Sequence, residues 1–149
     1  GLITHEDLKN YEAIWREPLV GHYKNYKVIS MAPPSSGGVL LLQLLKSVEP
    51  FPLAAWGHNR AQSIHLVTEA ERRAYADRAF YLGDPDFVTV PVYELTSSMY
   101  VEERMCNFNP DRATPSKEIK EGRIAVTPES EQTTHLSVID AEGNAVSVT

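Results

Sequence analysis

A single cysteine, Cys106, stands in 149 residues, so the chain can form no internal disulfide and its cysteine usage fixes no compartment. Its neighbours Met105, Asn107 and Phe108 supply no base that would make the thiol a nucleophile. Long apolar runs are missing too. A membrane span needs roughly 18 to 20 such residues, and the best candidate, Val39 to Leu45, is interrupted by Gln43 and followed by Lys46. Basic clusters are absent: 14 Lys and Arg stand against 20 Asp and Glu, for a formal charge of -6. With no basic-aromatic stretch to track a phosphate backbone, nucleic acid is not an expected partner. No segment repeats, and no charged and apolar leader opens the chain at Gly1, an absence that says nothing about secretion. His65 and Glu69 sit at i, i+4 without a third ligand, so no metal is expected and the pair reads as a solvated helix face. No cofactor is expected either.

What is present is 42% hydrophobic sequence, enough for one domain with a core. Thr4, with Asp7 three residues on, reads as the start of a short helix reaching about Tyr11. Pro18 to Met31 is rich in aromatic and β-branched residues around Lys24-Asn25 and predicts a β-hairpin. Pro33-Pro34 stops it. Ser35-Ser36-Gly37-Gly38 then leads into a Leu-rich run, read as a buried helix ending before Pro50, with Ser36 as its cap and the glycines allowing tight packing, or else with the backbone N–H groups of this helix start cradling an anion. A longer helix is predicted from His58 to Leu82, with Ile64, Val67, Ala70, Ala74 and Tyr81 on its apolar face and Glu69, Glu71, Arg72 and Arg73 elsewhere. Asp84 and Asp86 form a turn around Pro85, and Glu94 to Arg104 suggests a further helix capped by Ser97 or Ser98. Residues 106 to 132 are polar, with Pro110, Pro115 and Pro128, and read as a linker. Leu136 to Asp140 and Asn144 to Thr149 flank Ala141-Glu142-Gly143 as a second hairpin.

The chemistry concentrates at the end of the linker, in Gln132-Thr133-Thr134-His135-Leu136-Ser137-Val138, continuing through Gly143-Asn144, Val146, Ser147 and Thr149. These residues resemble the signature of the gamma-glutamyltransferases, which runs Thr, small, His, any, Ser or Thr, aliphatic, and later Gly, Asn or Ser, Val, small and Thr. Ala32 to Val39, Glu69 to Phe87 and Gly1 to Leu8 carry the same likeness, so it spans nearly the whole chain. The chain is identified on these motifs as a piece of such an enzyme. It would span the end of the large subunit and the start of the small one, with 106–132 as the linker before the processing site and 133–149 opening the small-subunit segment. The resemblance implies an α+β fold, part of the αββα sandwich of N-terminal-nucleophile hydrolases.

A threonine hydroxyl needs a base within hydrogen-bond reach, and an α-amine, with an ordinary pKa of about 7.7 to 8.0, can serve when Thr is the first residue. The resemblance implies how Thr133 gains that amine: its Oγ attacks the Gln132 carbonyl, the acyl group shifts from N to O, and water hydrolyses the ester. Thr133 would then open the γ-glutamyl bond of a donor such as glutathione and pass the group to water or to an amino-acid or peptide amine. His135 reads as a strand histidine supporting the turn. The family's other substrate-binding and oxyanion-hole motifs have no counterpart in these residues, so the isolated chain is expected to be inactive and unprocessed, with its substrate-binding residues unassigned. Free strand edges make pairing of two copies an expectation. Family resemblance suggests a periplasmic or extracellular setting. Two other readings stand beside this one: a non-catalytic structural or interaction domain of the same shape, and an acylase acting on β-lactam side chains.

Overall fold

Thr4 opens the first helix with a reciprocal cap. Its hydroxyl accepts from the Asp7 backbone N–H while the Asp7 carboxylate accepts from the Thr4 N–H, and helix α1 follows over His5–Asn10. The computed structural model describes residues 2–124 and 136–148. A stretch without regular secondary structure then leads into strands β1 (Leu19–Tyr23) and β2 (Tyr26–Ser30), paired antiparallel with Val20 opposite Ile29 and Gly21 opposite Val28. Lys24, at φ 51, takes the left-handed turn position.

Helix α2 (Gly37–Val48) lies against this hairpin, burying Val39, Leu42 and Val48. Two glycines make the approach possible. A Cβ on Gly38 would come 2.0 Å from the Met31 carbonyl oxygen, and one on Gly21 would come 2.3 Å from Leu42 Cδ2. Of the two glycines expected to allow tight packing, Gly38 does so, whereas a Cβ on Gly37 would meet only Ser35 Oγ, at 3.5 Å. Ser36 does not cap the helix; its Oγ accepts from Arg78 Nε instead.

A short helix the sequence did not announce, α3 (Leu53–Trp56), follows, and then the long α4 (Ala61–Tyr81) crosses α2. The helix expected over Glu94 to Arg104 is two: α5 (Val92–Leu95) and α6 (Ser98–Met105). Ser97 separates them because it adopts an extended backbone so that its hydroxyl can accept from the Tyr100 N–H. The core has two parts, both built on α2 and α4. Val39, Tyr81, Leu95 and Tyr100 form one, with Ile124 packed against it; Val48, Leu66 and Ala70 form the other, flanked by Phe51, Trp56 and Phe108.

Beyond α6, among the described residues up to Ile124, a 3-10 turn (Ser116–Glu118) interrupts an irregular segment, and strands β3 (Leu136–Ile139) and β4 (Ala145–Val148) pair antiparallel as the second hairpin, with Val138 opposite Val146. The Asp140 carboxylate accepts from the backbone N–H groups of Glu142 and Asn144 and from the Asn144 side chain, while Gly143 sits at φ 88, where only glycine is unstrained. Among the described residues no helix is long and apolar enough to cross a membrane.

Candidate processing site and its anchor

Gln132, Thr133, Thr134 and His135 lie outside the described residues, and the structure frames them from both sides. Leu136 opens β3 three residues after Thr133, and Ile124 ends the described polar segment eight residues before Gln132. What holds Ile124 in place is a polar apparatus on α4.

The buried face of α4 is Leu66, Glu69, Ala70, Arg73, Ala74, Asp77 and Tyr81. This corrects the sequence reading in two respects. Ile64 and Val67, expected inward, are 52% and 36% exposed, whereas Glu69, Arg73 and Asp77 are 1%, 3% and 1% exposed. Glu69 is not part of a solvated face with His65, whose Nε2 instead lies 2.9 Å from the Asn109 carbonyl oxygen. Three charges can be buried here only because each meets its partners.

Glu69 is fully engaged. Oε1 accepts from Arg72 Nη1 at 2.6 Å and from the Thr114 backbone N–H, and Oε2 accepts from Arg73 Nη1 at 2.8 Å and from Thr114 Oγ1 at 2.6 Å. Burial alone would push this carboxyl up, but the hydrogen bonds from Arg73, Thr114 and Arg72 outweigh it and hold the pKa down, at about 2. Arg73 then spends its remaining donors on Asn107 Oδ1, Thr114 Oγ1 and the carbonyls of Glu69 and Arg104. One helical turn on from Arg73, Asp77 accepts from Gln43 Nε2, from Arg104 Nε at 3.1 Å and from the Gly122 backbone N–H at 2.9 Å. Its burial pushes the carboxyl up against the opposing pull of Arg104 and the Gly122 N–H. A turn further still, Tyr81 OH donates to the Gly122 carbonyl and accepts from the Ile124 N–H.

Residues 107 to 124 of the expected linker are therefore fastened to α4 along its length. Gly122 presses so close that a Cβ there would stand 2.3 Å from Tyr100 OH and 2.6 Å from Arg104 Cδ. The sequence reading missed these anchoring residues, although Glu69, Arg73, Asp77 and Tyr81 recur every four positions beside Ala70 and Ala74, the spacing of one helix face.

The other candidate residues are scattered. Asp84 and Asp86 form the expected turn, with Asp84 Oδ1 accepting from the Asp86 N–H, and Arg16 pairs with Asp86 at the surface. Cys106 is exposed, and no group of three or more potential metal ligands occurs among the described residues.

The family model described as Gamma-glutamyltranspeptidase matches residues 1–149. The glutathione hydrolase proenzyme of Escherichia coli strain K12 is 48% identical over 149 residues, covering all of this chain and 26% of that protein. The crystal structure of Helicobacter pylori gamma-glutamyltranspeptidase superposes with a TM-score of 0.78 at 49% identity, over 82% of this chain and 35% of that one. A cephalosporin acylase from Bacillus halodurans matches with a TM-score of 0.63 at 32% identity, over 99% of this chain and 25% of that one. This chain thus spans about a quarter of the length of the E. coli relative. Its α+β architecture is part of the N-terminal-nucleophile hydrolase fold that these structures share. On the match along its entire length, this chain belongs to the gamma-glutamyltranspeptidase family.

Proposed function

We propose that this chain is the segment of a γ-glutamyl hydrolase and transferase in which the enzyme cuts itself between Gln132 and Thr133 and thereby makes its own nucleophile. The observation that carries the reading is the sequence Gln132-Thr133-Thr134-His135 in a chain that belongs over all its residues to this family. The name proenzyme borne by the E. coli relative supports it. In the uncut chain the Thr133 hydroxyl attacks the Gln132 carbonyl and the acyl group shifts from N to O, breaking the Gln132–Thr133 C–N bond and freeing the α-amine; water then hydrolyses the ester, releasing the Gln132 carboxylate and restoring the hydroxyl. That amine takes the hydroxyl proton when Thr133 attacks the γ-carbonyl of a donor such as glutathione, as α-amines, with an ordinary pKa of about 7.7 to 8.0, are able to do. The donor's amine leaves carrying that proton, and the γ-glutamyl group then passes from the ester to water or to an amino-acid or peptide amine, restoring the Thr133 hydroxyl.

The full-length protein tests this directly. Thr133→Ala is expected to remain a single polypeptide by intact mass and to release no chromophore from a γ-glutamyl anilide, while the unmodified protein appears as two chains and turns over. Cleavage or turnover by Thr133→Ala would overturn the assignment. The likeness to a cephalosporin acylase supports a second reading in which the same nucleophile acts on a β-lactam side chain. Comparing kcat/KM for the γ-glutamyl anilide and for a glutaryl cephalosporin on the same preparation decides between them. Self-pairing of the isolated chain, expected from its free strand edges, belongs to this proposal as well, and a clean monomer in light scattering would overturn it.

A further inference from the structure

The anchor on α4 does more than bury charge, because each of Glu69, Arg73, Asp77 and Tyr81 hydrogen-bonds the segment that leads to the cleavage junction, beside the bonds Asp77 and Arg73 make to Gln43 and Arg104. Asn107 and Thr114 are held at the Arg73 and Glu69 level, Gly122 at Asp77, and Gly122 and Ile124 at Tyr81, so the chain is led along about 18 Å of helix toward the C-terminal end of α4. Arg104, from α6, closes over it by donating to the Lys120 carbonyl at 2.7 Å. From Ile124 the chain has eight residues to Gln132, a reach of at most about 29 Å, while β3 begins three residues after Thr133.

We propose that Glu69, Arg73, Asp77 and Arg104 are positioning residues for self-cleavage: by fixing residues 107–124 on α4 they set the point from which the Gln132-Thr133 bond is presented. The inference rests on the autocleavage reading above. A loop free from Cys106 onward would carry 26 residues to Gln132, whereas the anchored chain carries only eight, so far fewer placements of the scissile carbonyl are open to it. Attack by a neighbouring hydroxyl depends steeply on such placement. In this proposal the side chains act through the backbone they hold. Thr114 is the point at which the anchor can be loosened with least damage, since its hydroxyl both donates to Glu69 and accepts from Arg73.

The test uses the full-length protein with Thr114→Val, Thr114→Ser and Gly122→Ala, following the appearance of two chains by intact mass, then measuring kcat on fully cleaved material and thermal midpoints throughout. Thr114→Val and Gly122→Ala are expected to slow cleavage roughly tenfold or more, Thr114→Ser to restore the unmodified rate, and kcat after cleavage to stay within about twofold, since the anchor acts before the cut. Cleavage at the unmodified rate in both Thr114→Val and Gly122→Ala would overturn the positioning role and leave the autocleavage reading standing. A kcat that falls in parallel with the cleavage rate would also overturn it, marking the anchor as general scaffolding. If the unmodified protein itself never splits, the autocleavage reading fails first and this inference with it.

Discussion

Glu69 shows how much one side chain's setting can outweigh its type. A carboxylate on a 21-residue helix would ordinarily face water, yet this one is buried with four hydrogen bonds to its two oxygens. Glu69→Gln keeps the shape but leaves the Arg73 guanidinium, itself 3% exposed, without its counter-charge. Removing one partner of such a buried pair costs on the order of 3–5 kcal/mol. Urea unfolding of the variant should show that loss, and an unchanged midpoint would mean that the pair contributes nothing. Acid should act on the same group. Its folded pKa, about 2, lies below the ordinary 4.5, so its contribution is complete above pH 4.5 and fades as the pH falls through about 2. The size of that contribution is on the order of 3 kcal/mol. Asp77 works with the opposite sign, because its carboxyl is raised: it favours the fold below its ordinary value of 3.8 and opposes it as the pH rises through the elevated one. Stability measured from pH 5 down to 2 should therefore fall less steeply in Glu69→Gln than in the unmodified protein, and parallel curves would contradict the role given to Glu69.

At the scale of elements, the contact between α2 and the first hairpin depends on backbone approach. Gly38→Ala would drive a methyl into the Met31 carbonyl, which belongs to backbone and cannot swing aside. Overpacking of this kind costs about 1–3 kcal/mol, and a lowered thermal midpoint is the expected outcome; full retention would mean that α2 can shift at no expense. Much of this level was legible beforehand. The Thr4/Asp7 cap, the turn at Lys24-Asn25, the Leu-rich helix and the Asp84-Pro85-Asp86 turn follow from local rules, because each is decided by residues within four positions of one another. The inward face of α4 was not legible from apolar periodicity. Ile64 and Val67 fit the hydrophobic stripe, but Glu69, Arg73 and Asp77 take the buried side because residues 107–124, more than 30 positions away, supply their partners.

For the whole molecule, the isolated 149-residue chain is expected to show one full-length mass after days at neutral pH and no turnover of a γ-glutamyl anilide. Oxyanion-hole donors are worth about 10²–10³ in rate each, and the family's motifs for them have no counterpart in its residues. Splitting at Gln132-Thr133 in the isolated chain, but not in its Thr133→Ala variant, would instead mean that the anchor and hairpin suffice for the acyl shift.

The amino-acid sequence by itself determined the family, through motifs whose identity is chemical and needs no coordinates, and it determined the helices and hairpins whose signals are local. It also singled out Thr133 as the candidate nucleophile. Only the tertiary structure decided that the polar stretch after Cys106 is bound to α4 as far as Ile124. A buried charge is stable only when distant backbone and side chains converge on it, and that convergence is a property of the fold rather than of any stretch of sequence.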